Sequence, residues 1–124
     1  AELEKLFTNV PAKEGAEKLV RHLAANRIHL WHSDIPMAIC TGSASHDFAL
    51  KAKSHLSWVS LIPQVVLTGD DPEVKRGKPA PDGYLLAMKR FPQPPAAARN
   101  VLVFEDAPNG VKSALAAGMQ CVQV

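Results

Sequence analysis

Two hydrophobic spacings alternate along the chain. Apolar residues recur at helical intervals of three and four in residues 14–25, after Ser45, around Tyr84 and after Pro108. Between these segments stand four short, mostly apolar runs, at 37–40, 64–67, 101–104 and 121–124. The helical spacing is typical of amphipathic helices, and the short apolar runs are typical of buried strands.

This alternation predicts the fold class. No short turn sequence joins two neighbouring runs as a hairpin. Strands that are connected through helices lie parallel, and their crossovers are right-handed in nearly all proteins. We therefore predict an α/β fold, Rossmann-like, with a parallel sheet and helices on both faces. The apolar run at 101–104 has no polar alternation, which is typical of a strand covered on both faces.

Residues at the segment ends predict where the helices begin and end. Ser45 and Asp82 each precede a helical stretch and are predicted N-caps. Gly118 is expected to end the helix that begins near Pro108. The first ten residues, AELEKLFTNV, keep helical spacing without a cap ahead of them, so we interpret them as the end of a helix. The segment RIHLWHSD, residues 27–34, fits neither spacing.

Composition and charge limit the classes of function. A chain of 124 residues fits one domain, and its formal net charge of +2 comes without a basic stripe, so no nucleic-acid partner is predicted. No apolar stretch has the length of a membrane span, so no membrane partner is predicted. Cys40 and Cys121 fall in strand-like runs and are expected to be buried thiols in a reducing, cytoplasmic setting.

Polar groups follow the predicted strands where each strand ends. In a parallel sheet all carboxyl ends share one edge, which is where ligands bind in open α/β folds. The groups at this edge are Thr41, Gly42, Ser43, Asp70, Asp71, Glu105 and Asp106. A Gly/Pro-rich loop that carries Lys78 follows the second strand and can cover the same edge.

These groups are the parts needed to hold a phosphoryl group. The Thr41 hydroxyl and the backbone amides of Gly42 and Ser43 can donate to phosphate oxygens, and Lys78 can neutralise their charge. The acidic pair after the third strand offers the oxygen ligands that Mg²⁺ prefers. Read singly, Thr41 is more readily a turn residue and Lys78 a solvated lysine. Their joint occurrence at successive strand ends supports the phosphate interpretation.

A second candidate metal site involves two histidines. His29 and His32 are three residues apart and can share one face of a helix. No third ligand is evident, so we do not favour this site.

Three motifs, in order, resemble those of the haloacid dehalogenase-like hydrolases. They are the strand followed by Thr41-Gly42-Ser43, then GKPAPD at 77–82, then VFEDAPNG at 103–110. Four stretches are similar to the pseudouridine-5'-phosphatase group of that family, namely GAEKL, TGSAS, GDDPEV and FEDAPNGVKSALAAGMQ. The resemblance implies Mg²⁺-dependent hydrolysis of a small phosphorylated metabolite, with pseudouridine 5'-phosphate as a candidate substrate.

The resemblance also implies roles for single residues. Thr41 would contact the phosphoryl oxygen, Lys78 would stabilise its charge and orient the nucleophile, and Glu105 and Asp106 would hold Mg²⁺. The family further uses an N-terminal, central strand that ends in an Asp-x-Asp nucleophile motif, and this sequence contains no Asp-x-Asp. Residues 1–13 would then be the tail of a cap domain or linker.

We therefore expect residues 14–124 to form a partial core domain that is inactive by itself, and that self-associates through exposed strand edges. Two alternatives remain open. A non-catalytic fragment that binds phosphate or a partner fits the missing nucleophile. A receiver-like phosphoacceptor module uses similar residues, but in that family the acids come first and the lysine last, whereas here the acids come last.

Overall fold

The computed structural model describes residues 2–25 and 35–124. His29, His32 and the segment RIHLWHSD lie outside the described residues. The helices are α1 (Glu2–Thr8), α2 (Ala16–Ala25), α3 (Ser45–Ala52), α4 (Leu56–Val59), α5 (Asp82–Arg90) and α6 (Pro108–Ala116). The strands are β1 (Ala38–Thr41), β2 (Gln64–Leu67), β3 (Leu102–Glu105) and β4 (Gln120–Gln123). None of the described helices is long and apolar enough to cross a membrane.

The four strands form two parallel pairs. β1 pairs with β2 in the register Thr41 to Leu67, and β3 pairs with β4 in the register Glu105 to Gln123. The predicted parallel α/β arrangement is confirmed. In place of one continuous sheet, the described residues form two two-stranded sheets, and β1 and β3 do not pair with each other. Each of these two strands therefore keeps one edge without a strand partner in the described part of the chain.

Two helices cover the sheets and form the core with them. α5 contacts both β1 and β2, α6 contacts both β3 and β4, and the two helices contact each other. One core cluster is built around Ala114 of α6 and contains Tyr84, Val103, Ala117 and Met119. A second cluster joins Val66 of β2 to α5 through Leu86 and Ala87. Burial of these apolar side chains holds each sheet to its helix.

The prediction that the 101–104 run is covered on both faces is wrong. Val103 and Glu105 are buried, whereas Leu102 and Phe104 are 53% and 51% exposed. Val122 on the neighbouring strand and Val124 directly after it are also exposed. An unbroken apolar run does not distinguish a strand with helices over both faces from a strand with a helix over one face.

Both predicted serine and aspartate caps are wrong, for the same physical reason. α3 has Ala44 at its N-cap and Ser45 as its first helical residue, while α5 has Pro81 at its N-cap and begins with Asp82. The Ser45 hydroxyl binds Asp70 and the Asp82 carboxylate binds Arg76, so both side chains bind outside their own helices. Gly118 does end α6, with a φ of 76° that favours glycine.

The N-terminal segment packs on the helices that follow β1. α1 contacts α3, and the Lys51 ammonium lies 4.8 Å from the centre of the Phe7 ring. His55 Nε2 lies 2.7 Å from the carbonyl oxygen of Val10. These contacts attach residues 2–10 to the region after β1, although Leu3 and Leu6 of α1 remain largely exposed.

Candidate functional site

An open pocket lies where β1 and β3 end. Its volume is about 440 Å³. Five of the six predicted site residues line it, together with Asn109; they are Thr41, Gly42, Lys78, Glu105 and Asp106. The residues come from both sheets and from the loop after β2, so the pocket bridges the two halves of the molecule. Ser43, the sixth predicted residue, does not line it.

Lys78 donates to three protein acceptors inside the pocket. Its Nζ lies 3.0 Å from the carbonyl oxygen of Cys40 and 3.1 Å from the Tyr84 hydroxyl. The third acceptor is Glu105 Oε1, with which Lys78 forms an ion pair. An ammonium group has three N–H bonds, so these contacts use all of them. The side chain is only 17% exposed, which keeps its charge at a fixed place between the two sheets.

Glu105 is the buried counter-ion of this lysine. Its Oε1 accepts from Lys78 and from the Tyr84 hydroxyl at 2.6 Å, and its Oε2 accepts from the backbone amides of Asp106 and Ala107 at 3.1 and 3.2 Å. Burial raises the pKa of Glu105, but these donors outweigh burial, so the pKa lies below its ordinary value. The carboxylate is therefore ionised at neutral pH, with both oxygens engaged.

A glycine in the first turn of α6 makes room for this carboxylate. A Cβ atom added to Gly110 would overlap the carboxyl group of Glu105. Only a residue without a side chain lets the backbone of α6 approach so closely. The stretch from Glu105 to Gly110 therefore forms a cradle that holds the acid inward, against Lys78.

The loop that carries Lys78 is held at two places. Ser113, fully buried in α6, donates to the carbonyl oxygen of Ala80 at 2.7 Å. Asp82 accepts from the backbone amide of Arg76 at 3.2 Å and from its guanidinium at 3.3 Å. These bonds fix the path of the loop over the strand ends. They therefore fix the backbone position of Lys78, although its side chain is flexible.

The loop after β1 carries the predicted phosphate donors. Thr41 Oγ1 accepts from the backbone amide of Ser43 at 3.2 Å. The Ser43 hydroxyl accepts from Lys51 at 3.0 Å. Asp70, on the loop after β2, accepts from the Ser45 amide at 2.5 Å and from the Ser45 hydroxyl. These bonds turn the side chain of Ser43 toward α3 and tie the loop to the neighbouring strand end.

The other acid predicted at this edge has a structural partner. Asp71 accepts from Arg90 of α5 at 2.5 and 3.1 Å and caps the amide of Glu73 at 3.0 Å. Neither Asp70 nor Asp71 lines the pocket.

The residues fit a magnesium ion through one carboxylate. Among residues 2–25 and 35–124, no group of three or more His, Cys, Asp or Glu side chains could hold a metal ion. Asp106 is exposed and lines the pocket, whereas both Glu105 oxygens already accept from protein donors. Mg²⁺ is commonly held by one or two carboxylates plus substrate phosphate and water. Asp106 is suited to such a partial ligand set.

Two residues of the site, Tyr84 and Gly110, are not indicated by the sequence pattern. Helical spacing places Tyr84 on a helix, but it gives no sign of the hydroxyl contacts, because the partners come from another loop and another strand. The spacing of Glu105 and Gly110 across a strand-to-helix turn was a usable signal, since glycine early in a helix often permits close approach. Cys40 also lines the pocket, but burial raises the pKa of its thiol to about 11, so it is not a thiolate at neutral pH.

Fold and pocket together define an α/β protein with a buried lysine-carboxylate pair and a threonine at its strand ends. A family model described as haloacid dehalogenase-like hydrolase matches residues 1–118. The chain therefore belongs to the haloacid dehalogenase-like hydrolase family. This confirms the family resemblance and rules out the receiver-like alternative.

Several curated phosphatases are similar to this chain. The (DL)-glycerol-3-phosphatase 1, mitochondrial, of Arabidopsis thaliana is 47% identical over 122 residues, which cover 98% of this chain and 38% of that protein. A probable pseudouridine-5'-phosphatase of Drosophila melanogaster is 43% identical over 124 residues, which cover 100% of this chain and 50% of that protein. The chain thus spans half or less of the length of these relatives.

A solved structure has the same fold. The crystal structure of a HAD hydrolase, family IA, variant 3, from Entamoeba histolytica superposes with a TM-score of 0.69 at 27% identity. The match covers 98% of this chain and 50% of that structure.

Proposed function

We propose that this chain is the phosphate-binding part of a Mg²⁺-dependent phosphomonoesterase that acts on a small phosphorylated metabolite. The observation that carries the proposal is the fixed charge of Lys78, held by Glu105 in a pocket whose other walls include Thr41 and Asp106. A positioned cation in a partly buried pocket stabilises phosphoryl charge more strongly than a solvated lysine does. The family membership and the phosphatase relatives support the same reaction class.

Each residue has a role in this proposal. Thr41 donates its hydroxyl to a phosphoryl oxygen, and the backbone amides of Gly42 and Ser43 supply further donors once the Ser43 amide leaves Thr41. Lys78 offsets the negative charge of the phosphoryl group. Because all three N–H bonds of Lys78 point to protein acceptors, it acts either through its field or by exchanging one acceptor for a phosphoryl oxygen.

The acidic pair divides its work. The family resemblance implies that Glu105 and Asp106 together hold the ion. The four donors on Glu105 support a different use, in which Glu105 holds Lys78 and Asp106 is the carboxylate ligand. When bound, Mg²⁺ neutralises phosphoryl charge and orients the group for attack.

This chain alone is proposed to bind phosphate without turning an ester over. Its sequence contains no Asp-x-Asp motif. The two carboxylates that line the pocket are not available as nucleophiles, because Glu105 is bound by protein donors and Asp106 is assigned to the ion. Residues 1–13 are proposed to belong to a cap or linker and residues 14–124 to the core. Two free cysteines support a reducing compartment such as the cytoplasm.

The test is isothermal titration calorimetry of inorganic phosphate into the purified chain with Mg²⁺. Lys78→Ala should abolish measurable binding, and Asp106→Asn should remove its dependence on Mg²⁺. Lys75→Ala is the matched control, because Lys75 is an exposed lysine on the same loop. This variant should bind phosphate with the affinity of the parent chain. Equal affinities in the Lys78→Ala and Lys75→Ala variants would contradict the proposal.

Substrate choice is tested on a longer protein that contains this chain. Pseudouridine 5'-phosphate is favoured by the four similar stretches and by the fly relative, and glycerol 3-phosphate is favoured by the similarity to the plant glycerol-3-phosphatase. Hydrolysis rates for the two esters, compared at equal concentration, decide between them.

A further inference from the structure

Tyr84 forms a triangle with the ion pair at the base of the pocket. Its hydroxyl donates to Glu105 Oε1 at 2.6 Å and accepts from Lys78 Nζ at 3.1 Å. Lys78 and Glu105 close the third side of the triangle. Tyr84 is 8% exposed, and it belongs to the core cluster that packs between α5 and α6. Its position is therefore set by core packing, which makes it a rigid reference point for the flexible lysine.

We propose that Tyr84 is a positioning residue for Lys78, and that its hydroxyl sets where the lysine charge lies in the phosphate pocket. This inference rests on the proposed function of the pocket. A lysine side chain has four rotatable bonds and a freely rotating ammonium group, and three acceptors at fixed places define a single position for it. The Cys40 carbonyl and Glu105 supply two of these acceptors, and Tyr84 supplies the third.

The hydroxyl also shares the negative charge of Glu105. Since Oε1 accepts from both Tyr84 and Lys78, the carboxylate divides its interaction between two donors. Without the hydroxyl, Oε1 keeps only the ammonium group and draws it further toward the base of the pocket. The charge that remains available to a phosphoryl group then falls, although Lys78 is still present.

A merely structural tyrosine would behave differently. The ring of Tyr84 packs in the core, and its centre lies 4.8 Å from Lys78 Nζ, so Tyr84→Phe keeps both contacts and removes the hydroxyl alone. If Tyr84 only fills the core, this change leaves phosphate binding intact. If it positions Lys78, phosphate binding weakens while the fold remains.

The experiment compares three variants of the full chain by calorimetry with inorganic phosphate and Mg²⁺. We expect Tyr84→Phe to weaken phosphate binding by about three- to tenfold, which is the size typical of one intramolecular hydrogen bond. Met88→Leu is the matched control, since Met88 packs against the same core cluster and is not one of the three acceptors of Lys78. Lys78→Ala, which is expected to abolish measurable binding, gives the limit without the lysine.

A second measurement keeps the Tyr84 hydroxyl in place. Tyr84 is the single tyrosine of the chain, so growth on 3-fluorotyrosine gives one fluorine resonance. Phosphate that engages Lys78 should shift this resonance, and the shift should vanish in Lys78→Ala. An unshifted resonance in a chain that binds phosphate, or a Tyr84→Phe affinity within twofold of the parent, overturns the proposal. If Lys78→Ala itself leaves phosphate binding unchanged, the proposed function fails first and the Tyr84 proposal fails with it.

Discussion

Lys78 and Glu105, 27 residues apart in the sequence, form an ion pair that joins the two sheets of the molecule. Lys78 lies on the loop after β2 and also donates to the carbonyl oxygen of Cys40 in β1. Glu105 is the last residue of β3. Because β1 and β3 share no backbone ladder in the described residues, this pair connects halves that strand pairing leaves separate. The same contact thus contributes to stability and defines the candidate site.

Replacing the acid should therefore cost stability. Glu105→Gln leaves the Lys78 charge without its counter-ion in a largely buried position. Breaking a buried pair typically costs about 3–5 kcal/mol, and we expect the lower end of that range because glutamine keeps a hydrogen-bond acceptor. Urea denaturation measures the change. Asp106→Asn is the control at the next position. Because Asp106 is exposed, the free energy of unfolding of this variant should stay within about 0.5 kcal/mol of that of the parent chain.

The cradle under Glu105 gives a second prediction. Gly110→Ala puts a methyl group where the carboxyl group lies, so Glu105 must leave its four donors or α6 must shift. We expect a loss of at least about 2 kcal/mol in the free energy of unfolding, together with weaker phosphate binding. Gly77→Ala is the matched control, since a Cβ atom there meets nothing within 4 Å. Equal stability of the two variants would show that the close approach at Gly110 has no consequence.

Asp71 gives a prediction about pH. The side-chain hydrogen bond from Arg90, with the backbone amide of Glu73, holds the pKa of Asp71 below its usual value of 3.8. Since the pKa is lower in the folded chain, the stability that Asp71 contributes is present above the unfolded pKa and is lost as pH falls through the folded pKa. The gap in urea midpoint between the parent chain and Asp71→Asn should be constant near neutral pH and should close below about pH 4.

The control for this prediction is Glu73→Gln. Glu73 lies 3.5 Å from the same arginine but is 60% exposed, so its variant should follow the parent curve throughout. A gap between the parent and Asp71→Asn that persists in acid would mean that the aspartate acts through something other than its charge.

Local pattern predicted the elements well and their contacts poorly. The strand at 64–67 was predicted to the residue, because four mostly apolar residues between turn signals leave little freedom in its ends. The caps at Ser45 and Asp82 were wrong because each side chain binds a residue elsewhere in the chain that local sequence does not identify. The shared edge of Thr41, Lys78 and Asp106 follows from parallel topology, but the inward turn of Glu105 depends on Tyr84 and Gly110.

The last prediction concerns the unpaired strand edges. β1 and β3 each pair with one neighbour, and their remaining edges carry backbone groups without a strand partner in the described residues. Such edges accept strands from other molecules, and the exposed apolar face of β3 and β4 adds a second reason to associate. We expect the isolated chain to self-associate as its concentration rises, which sedimentation velocity would detect as a growing fraction of dimer or larger species.

Phe104→Lys charges the apolar face and leaves the backbone edges intact, so association through the edges should persist in this variant. Leu115→Lys, which charges a 61% exposed position on α6, is the control for added charge alone. A chain that stays monomeric over the whole concentration range would contradict the prediction, and association lost only in Phe104→Lys would assign it to the face instead of the edges.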